Sequence, residues 1–193
     1  MRRTVSRVAA CPGDDDPVMK QARIVVIALM GLAAAACSPA LDWREFSWPE
    51  GGFAVLLPGK PRSESRPLVI DGVEVTLRMF SVRAEGLAFG VGYADFPPGG
   101  GAAARARRLA ATRDALVGNI DGRVTSESDV TLDGHRGLDF RAQGRVRDAN
   151  FLLAGRIYAA DDRLYQLAVV GREDAAARAD AELFLGSFRL LPK

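Results

Sequence analysis

Residues 71–95 read DGVEVTLRMFSVRAEGLAFGVGYAD, and this stretch decides the fold. Asp71-Gly72 is a two-residue hairpin signal. Behind it Val73, Val75, Leu77 and Met79 alternate on one face of a strand. After Met79 the phase changes, because Phe80 and Val82 become the apolar residues. A bulge or bend near Arg78–Ser81 is the expected cause. Glu85-Gly86 turns the chain again. Leu87, Phe89, Val91 and Tyr93 then share one face, and Ala88, Gly90, Gly92 and Ala94 the other. A face of only small residues lets another element approach closely. A helix lying on that face is expected there in preference to a ligand groove.

Working outward, Trp43 to Trp48 has strand spacing and Pro49-Glu50-Gly51-Gly52 is a turn. Phe53 to Leu57 reads as a buried strand stopped by Pro58-Gly59 and Pro61, and Ser63 to Ile70 leads into the hairpin. On the other side Pro97-Pro98-Gly99-Gly100-Gly101 breaks the pattern. A helix is predicted from about Ala102 to Asn119, with Leu109, Leu116, Val117 and Ile120 as its stripe and Arg105, Arg108 and Arg113 mostly away from it. Val124 to Leu132 is a strand, turned by Asp133-Gly134. Leu138, Phe140, Ala142 and Val146 alternate with Arg141, Gln143, Arg145 and Arg147. Phe151 to Ala159 and Leu164 to Val170 form a pair turned at Asp161-Asp162. Glu173 to Leu185 is a second helix and Phe188 to Leu191 a closing strand. Short turns between consecutive strands imply antiparallel pairing, and two interspersed helices imply an α+β fold.

The 193 residues carry 26 Lys+Arg against 24 Asp+Glu, a net charge of +2. No basic bias points to nucleic acid. Two cysteines and one histidine nearly exclude an all-protein Cys/His zinc site, which takes about four ligands. Residues 1–18 show no apolar periodicity and are expected to be a start-site artefact or a disordered extension, with translation beginning at Met19. From Met19 a short basic segment precedes an uncharged apolar run, Ile24–Ala36, and then Ala34-Ala35-Ala36-Cys37. A transmembrane helix takes about 20 apolar residues, so this run is too short. It fits the apolar region of a secretory signal. Removing 1–36 takes away five basic and three acidic residues and leaves 21 of each, with Cys37 as the only cysteine. No internal disulfide is then available. The organisation expected is a signal segment 19–36, a tether 37–42 and a single domain 43–193.

Residues 19–37 resemble a bacterial lipoprotein signal peptide, with Ala34 standing where its lipobox most often has Leu. The resemblance implies cleavage before Cys37, a diacylglyceryl thioether on its sulfur and acylation of its new amino group. It further implies a domain held by lipid at the bacterial cell envelope, facing the periplasm or the exterior. One acyl chain binds a bilayer only marginally, and several on one residue make the attachment stable.

Five phrases resemble the PsbP-like fold, named after a photosystem accessory protein and shared by a Ran-binding transport factor. They are Phe53-x-Val55-x-Leu57-Pro58-Gly59-Lys60-Pro61, Val91-x-Tyr93-x-Asp95-Phe96-Pro97, Gly134-x-x-Gly137-x-Asp139-Phe140, Arg163-Leu164-Tyr165-Gln166-Leu167 and Phe184-Leu185-x-Ser187-Phe188. They span roughly Phe53 to Leu190, and similar phrases occur in small bacterial envelope proteins of unknown function. The resemblance implies a central antiparallel sheet flanked by helices, an α/β/α sandwich, and an adaptor-like role. It places no catalytic, cofactor or partner-binding residue on this chain.

Chemistry is sparse. His135, the only histidine, falls in a predicted hairpin turn, and no Gly-x-Ser-x-Gly nucleophile elbow exists. Neither Asp14-Asp15-Asp16 nor Asp161-Asp162 has calcium-loop spacing. Gly99-Gly100-Gly101 lacks the Gly-Lys-Ser/Thr of a nucleotide phosphate loop. Asp95 is placed to cap the following loop or helix. Asp139, if buried, needs a partner such as an arginine. Arg141, Arg145 and Arg147 share a strand face with Gln143 and form a candidate surface for acidic lipid headgroups, an envelope polymer or a protein. Twenty-one carboxyl groups are present to neutralise them. The function expected is a lipid-anchored, non-enzymatic envelope protein with no cofactor and no nucleic-acid partner, its domain binding an unknown protein or envelope partner. The rivals are a carrier of a small apolar ligand or lipid, with a cavity beneath Leu87, Phe89, Val91 and Tyr93, and a cryptic hydrolase.

Overall fold

The computed structural model describes residues 41–146, 149–172 and 175–192. Residues 1–36, Cys37 and Arg147 lie outside them. The described residues belong to one unit, Ala40–Lys193. Its strands are β1 (Arg44–Trp48), β2 (Phe53–Leu57), β3 (Arg62–Ile70), β4 (Val73–Ala84), β5 (Leu87–Asp95), β6 (Arg123–Leu132), β7 (His135–Val146), β8 (Ala149–Ala160), β9 (Arg163–Gly171) and β10 (Arg189–Leu190). Helix α1 (Gly101–Gly118) separates β5 from β6, and α2 (Ala175–Gly186) precedes β10.

Seven strands form one antiparallel sheet in the order β3-β4-β5-β9-β8-β7-β6, and β1-β2-β10 form a second. The turns that join neighbouring strands have the dihedrals their residues favour. Asp71-Gly72, Glu85-Gly86 and Asp133-Gly134 each place both residues at positive φ, the geometry that matches strand twist. The crossover from β5 to β9 brings the two most buried strands of the large sheet together, with Phe89 opposite Val169 and Tyr93 opposite Tyr165.

The large sheet is covered on both faces. On one, α1 lies across β7, β8 and β9. There Leu109, Val117 and Ile120 pack with Leu77, Ala94, Phe140, Leu153, Ile157 and Leu164. On the other, the small sheet and α2 bring Phe53, Val55, Leu57, Phe184, Leu185 and Phe188 against Phe80, Phe89, Val91, Tyr165 and Leu167. The expected α/β/α sandwich is corrected here. The molecule is sheet-dominated, with a helix on one face and a three-stranded sheet plus a helix on the other.

That double burial also corrects two local expectations. The phase change in β4 is no bulge: its ladders to β3 and β5 run through Arg78–Ser81 without a register shift. Instead Val75 and Leu77 enter the α1-side core, while Phe80 and Val82 enter the opposite one. The strand stays regular and the covered face changes. A register shift does occur in β6, between Val124 and Ser126. Likewise the small face of β5 is filled by a neighbouring side chain. A Cβ on Gly92 would stand 2.3 Å from Met79 Sδ, and one on Gly90 would stand 3.2 Å from Met79 Cε. An unbranched thioether suits such a shallow gap. Gln166 donates Nε2–H to that sulfur at 3.0 Å.

Phe53 sits at the junction of the sheets, fully buried, with ring contacts to Phe46, Phe80, Tyr93, Tyr165 and Phe188. Phe53→Ala is expected to cost about 3–5 kcal/mol in urea denaturation. A loss below about 1 kcal/mol would mean that the small sheet does not depend on this contact.

Candidate functional site

Convergent polar groups line an open groove of about 780 Å³ on β4, β5 and the start of β9. Its lining includes Glu50, Glu74, Arg78, Tyr93, Asp95 and Arg163. A second depression of about 470 Å³ shares Asp95 and Arg163 and adds His135, Asp161 and Asp162.

Arg163 organises both. It opens β9 directly after the Asp161-Asp162 turn, and pairing places it opposite Asp95, the last residue of β5. Asp95 accepts from Nε and from Nη2, the latter at 3.0 Å. Nη1 donates to the Glu50 carbonyl at 3.0 Å, and the guanidinium carbon lies 4.8 Å from the Tyr93 ring centroid. Tyr165, two residues on, donates its hydroxyl to the Gly51 carbonyl at 2.8 Å. Both side chains therefore hold the Pro49–Gly51 turn of the small sheet against the large one. The Asp95 hydrogen bond raises the Arg163 pKa, against the pull of partial burial. Asp95 thus pairs across the sheet instead of capping α1. Asp162 is the carboxylate at the loop before α1, accepting from the Gly99 amide at 3.3 Å, and α1 itself has no side-chain cap. Glu50 takes Arg78 at 2.9 Å. What this arrangement offers is a fixed, alternating set of cations and carboxylates at the rim of two adjoining hollows. His135 is half-buried beside the second hollow, whose lining includes no serine or cysteine.

The arginine row lies elsewhere, on the α2 side of β7. Arg141 Nη1 is 2.7 Å from Asp139 Oδ1, and Nη2 meets Glu182 of α2. Gln143 and Arg145 are exposed. Asp139 does have the arginine it needed: Arg156 Nε reaches its Oδ2 at 2.7 Å, and Arg156 Nη1 donates to the Leu185 carbonyl at 3.1 Å. This network pins the last turn of α2 to β7 and β8. Burial pulls the Arg156 pKa down, but the hydrogen bond and charge of Asp139 outweigh it and the net direction is up. Sequence pattern placed Arg141 on the correct face but had no means to supply Glu182, 41 residues away. Arg163 was visible only as part of a phrase, since its partner Asp95 lies 68 residues earlier. Among the described residues no group of His, Cys, Asp and Glu is placed to hold a metal ion.

Neighbouring Tyr158 carries a testable consequence. Burial raises its pKa above the ordinary 10.0, although Arg156 pulls the other way. The folded protein therefore keeps this proton at a pH where the unfolded chain has released it. The unfolded state then binds fewer protons and stability falls with rising pH. The contribution is complete below pH 10 and is lost as pH climbs through the folded value. Denaturation curves of the wild type and Tyr158→Phe, compared at about pH 9 and pH 11, are expected to show the steeper alkaline loss in the wild type only.

No protein-family model and no curated protein matches the chain. Among solved structures it is similar to cyanobacterial PsbP (CyanoP) from Synechocystis sp. PCC 6803, at 14% identity over 80% of this chain and 95% of that one, with a TM-score of 0.49. It is similar to PA94, a Pseudomonas aeruginosa protein of unknown function, at 11% identity over 72% and 88% of the two chains, TM-score 0.38. It is also similar to TplEi, an immunity protein of the P. aeruginosa T6SS in complex with an "L" peptide, at 11% identity over 93% and 87%, TM-score 0.41.

Proposed function

We propose that this chain is a lipid-anchored protein of the bacterial cell envelope whose α+β domain binds or supports a partner without catalysing a reaction, the role the PsbP-like resemblance implies. The observation that carries this reading is the spacing between the lipobox-type cysteine and the folded unit. The unit begins at Ala40 and β1 at Arg44, within a few residues of Cys37. A thioether-linked diacylglycerol on that sulfur would fix the domain close to a bilayer through a short tether. Among the described residues no helix is long and apolar enough to cross a membrane. The paired state of Arg163, Asp95, Arg141, Asp139 and Arg156 favours a structural and docking role for these charges over proton transfer.

Cys37→Ser is expected to abolish metabolic labelling with radioactive palmitate and to move the protein from the membrane to the soluble fraction. Acyl labelling that persists in the variant would remove the anchor, and the proposal with it.

A second reading, a carrier of a small apolar ligand or lipid, is favoured by one observation. The space beneath Leu87, Phe89, Val91 and Tyr93 is packed, with Phe89 in edge contacts at 5.6 Å with both Trp43 and Phe184. Beside it, however, a half-enclosed cavity of about 460 Å³ opens between α2 and the sheet, with Leu87, Leu152 and Val169 in its lining and Arg141, Arg172, Arg178 and Glu182 as charged groups that would suit the polar head of such a ligand. That volume falls within the range of small-molecule sites. A fluorescent fatty acid is expected to bind the wild type saturably on this reading and to lose affinity at least tenfold in Leu152→Trp. A wild-type protein that does not take up the probe would end it.

A further inference from the structure

Arg108 contradicts the expectation that the arginines of α1 point away from the core. It is 7% exposed, and its guanidinium carbon lies 4.0 Å from the centre of the Phe96 ring. Stacking on a ring leaves the in-plane N–H donors unused. Its Nε is buried without a hydrogen-bond partner among the described residues. Arginines elsewhere in the domain take carboxylates: Arg107 takes Asp71, Arg113 takes Glu127, Arg156 takes Asp139 and Arg163 takes Asp95. Burial of a guanidinium with donors to spare is costly unless an acceptor reaches it.

The direction in which this side chain points identifies the acceptor. Side chains on a helix lean toward its N-terminus. Arg108 Nη2 comes within 3.7 Å of where a Cβ on Gly100 would stand, and Gly100 is the N-cap of α1. The guanidinium is thus aimed at the start of the helix. Gly100 provides no side-chain cap, and no acidic residue occupies the first turn. Ala104 makes the first intrahelical bond, to the Gly100 carbonyl at 3.3 Å. The amides of Gly101, Ala102 and Ala103 have no carbonyl partner within the helix. The helix dipole adds roughly half a positive charge there. Gly99, Gly100 and Gly101 have φ of 108°, 85° and 61°, a conformation that favours glycine, so these three positions add no side chain beside the amides, and Ala104 Cβ stands 2.7 Å from where a Cβ on Gly100 would be. The carboxylate at this loop, Asp162, is bonded to the Gly99 amide at 3.3 Å, at the outer edge of the glycine run.

We propose that the N-terminus of α1 and Arg108 together bind a phosphate-type oxyanion, whether inorganic phosphate or the phosphomonoester of a lipid headgroup. Two or three helix amides meet one side of the anion and the in-plane donors of Arg108 meet another. The absence of a Gly-Lys-Ser/Thr sequence after Gly101 limits the site to a single oxyanion and excludes the polyphosphate grip of a nucleotide loop. The inference is independent of Cys37.

The test uses the full chain, isotopically labelled in a non-ionic detergent and titrated with sodium phosphate at constant ionic strength, with sodium chloride as control. Saturable shifts of the Gly100, Gly101, Ala102 and Ala103 amides and of the Arg108 Nε–H are expected with phosphate alone. Arg108→Met keeps an apolar stem over Phe96 and is expected to weaken binding at least tenfold. Gly101→Asp adds a side chain where nothing lies within 4 Å. Aspartate tolerates positive φ, and its carboxylate would place a fixed negative charge beside the helix amides. That variant is expected to stay folded and lose the phosphate response, so it decides the matter if Arg108→Met does not fold. Mixed micelles doped with phosphatidate or with phosphatidylcholine separate the sources. Shifts with phosphatidate that inorganic phosphate competes away identify a headgroup site, and shifts with inorganic phosphate alone identify a free anion. Equal responses to phosphate and chloride, or a Gly101→Asp protein that titrates like the wild type, would overturn the assignment.

Discussion

Burial of the seven-stranded sheet on both of its faces is the constraint from which the rest of the structure follows. An antiparallel sheet with one wet face alternates polar and apolar residues, and its pattern reads directly as in or out. Here β5, β8 and β9 have no wet face at their centres. Every position must therefore be apolar, small, or supplied with an internal partner. β5 meets the demand by being large on one side and nearly without side chains on the other, and the gap left on the second side is taken by Met79. β9 meets it with Leu167 and Val169 on one side and Ala168 and Gln166 on the other. The Gln166 amide survives burial because it donates to the Met79 sulfur.

Charge in this domain acts at joints. Exposed ion pairs are screened by solvent and cost side-chain freedom to hold, so Arg44 with Asp42 or Arg136 with Asp129 decide little. The half-buried ones are different in kind, because each links elements that the backbone leaves separate. Arg163 and Tyr165 tie the Pro49–Gly51 turn to β9, and Arg156 with Asp139 ties the end of α2 to β7 and β8. Removing either partner of the Arg156–Asp139 pair, whose side chains are 18% and 16% exposed, strands the other in a low-dielectric setting, which costs more than the pair itself contributes. The two sheets thus meet through an aromatic centre around Phe53 and are joined at their edge by Arg163 and Tyr165.

What the sequence made legible was whatever depends on neighbours along the chain. The Asp-Gly and Glu-Gly turns, the strand alternation of β5 and the glycine break before α1 are local statements, and each strand and helix stands within a few residues of its expected place. What stayed hidden depends on contacts distant in sequence. Nothing in residues 73–84 says that the covering layer changes from α1 to the small sheet halfway along β4, so a change of face looked like a change of backbone. Helical spacing sets Arg108 beside the apolar stripe of α1 and gives no sign that its guanidinium is buried. The ring that receives it, Phe96, precedes the helix and carries no mark of that role. Asp95 was read as a cap because the residues next to it form a loop, whereas its partner stands across the sheet.

Chain length constrains how an anchored domain would meet a bilayer. From Cys37 to Arg44 the chain advances seven residues, a reach of at most about 25 Å when fully extended. An acylated Cys37 would therefore keep the start of β1 near the headgroups, together with whatever packs beside it. The neighbouring hollow is lined by Asp42, Arg44, Glu45, Lys60 and Pro61, among others. Charges of both signs there give the headgroup layer no strong net pull. The lipid chains, not the protein surface, would then supply the affinity.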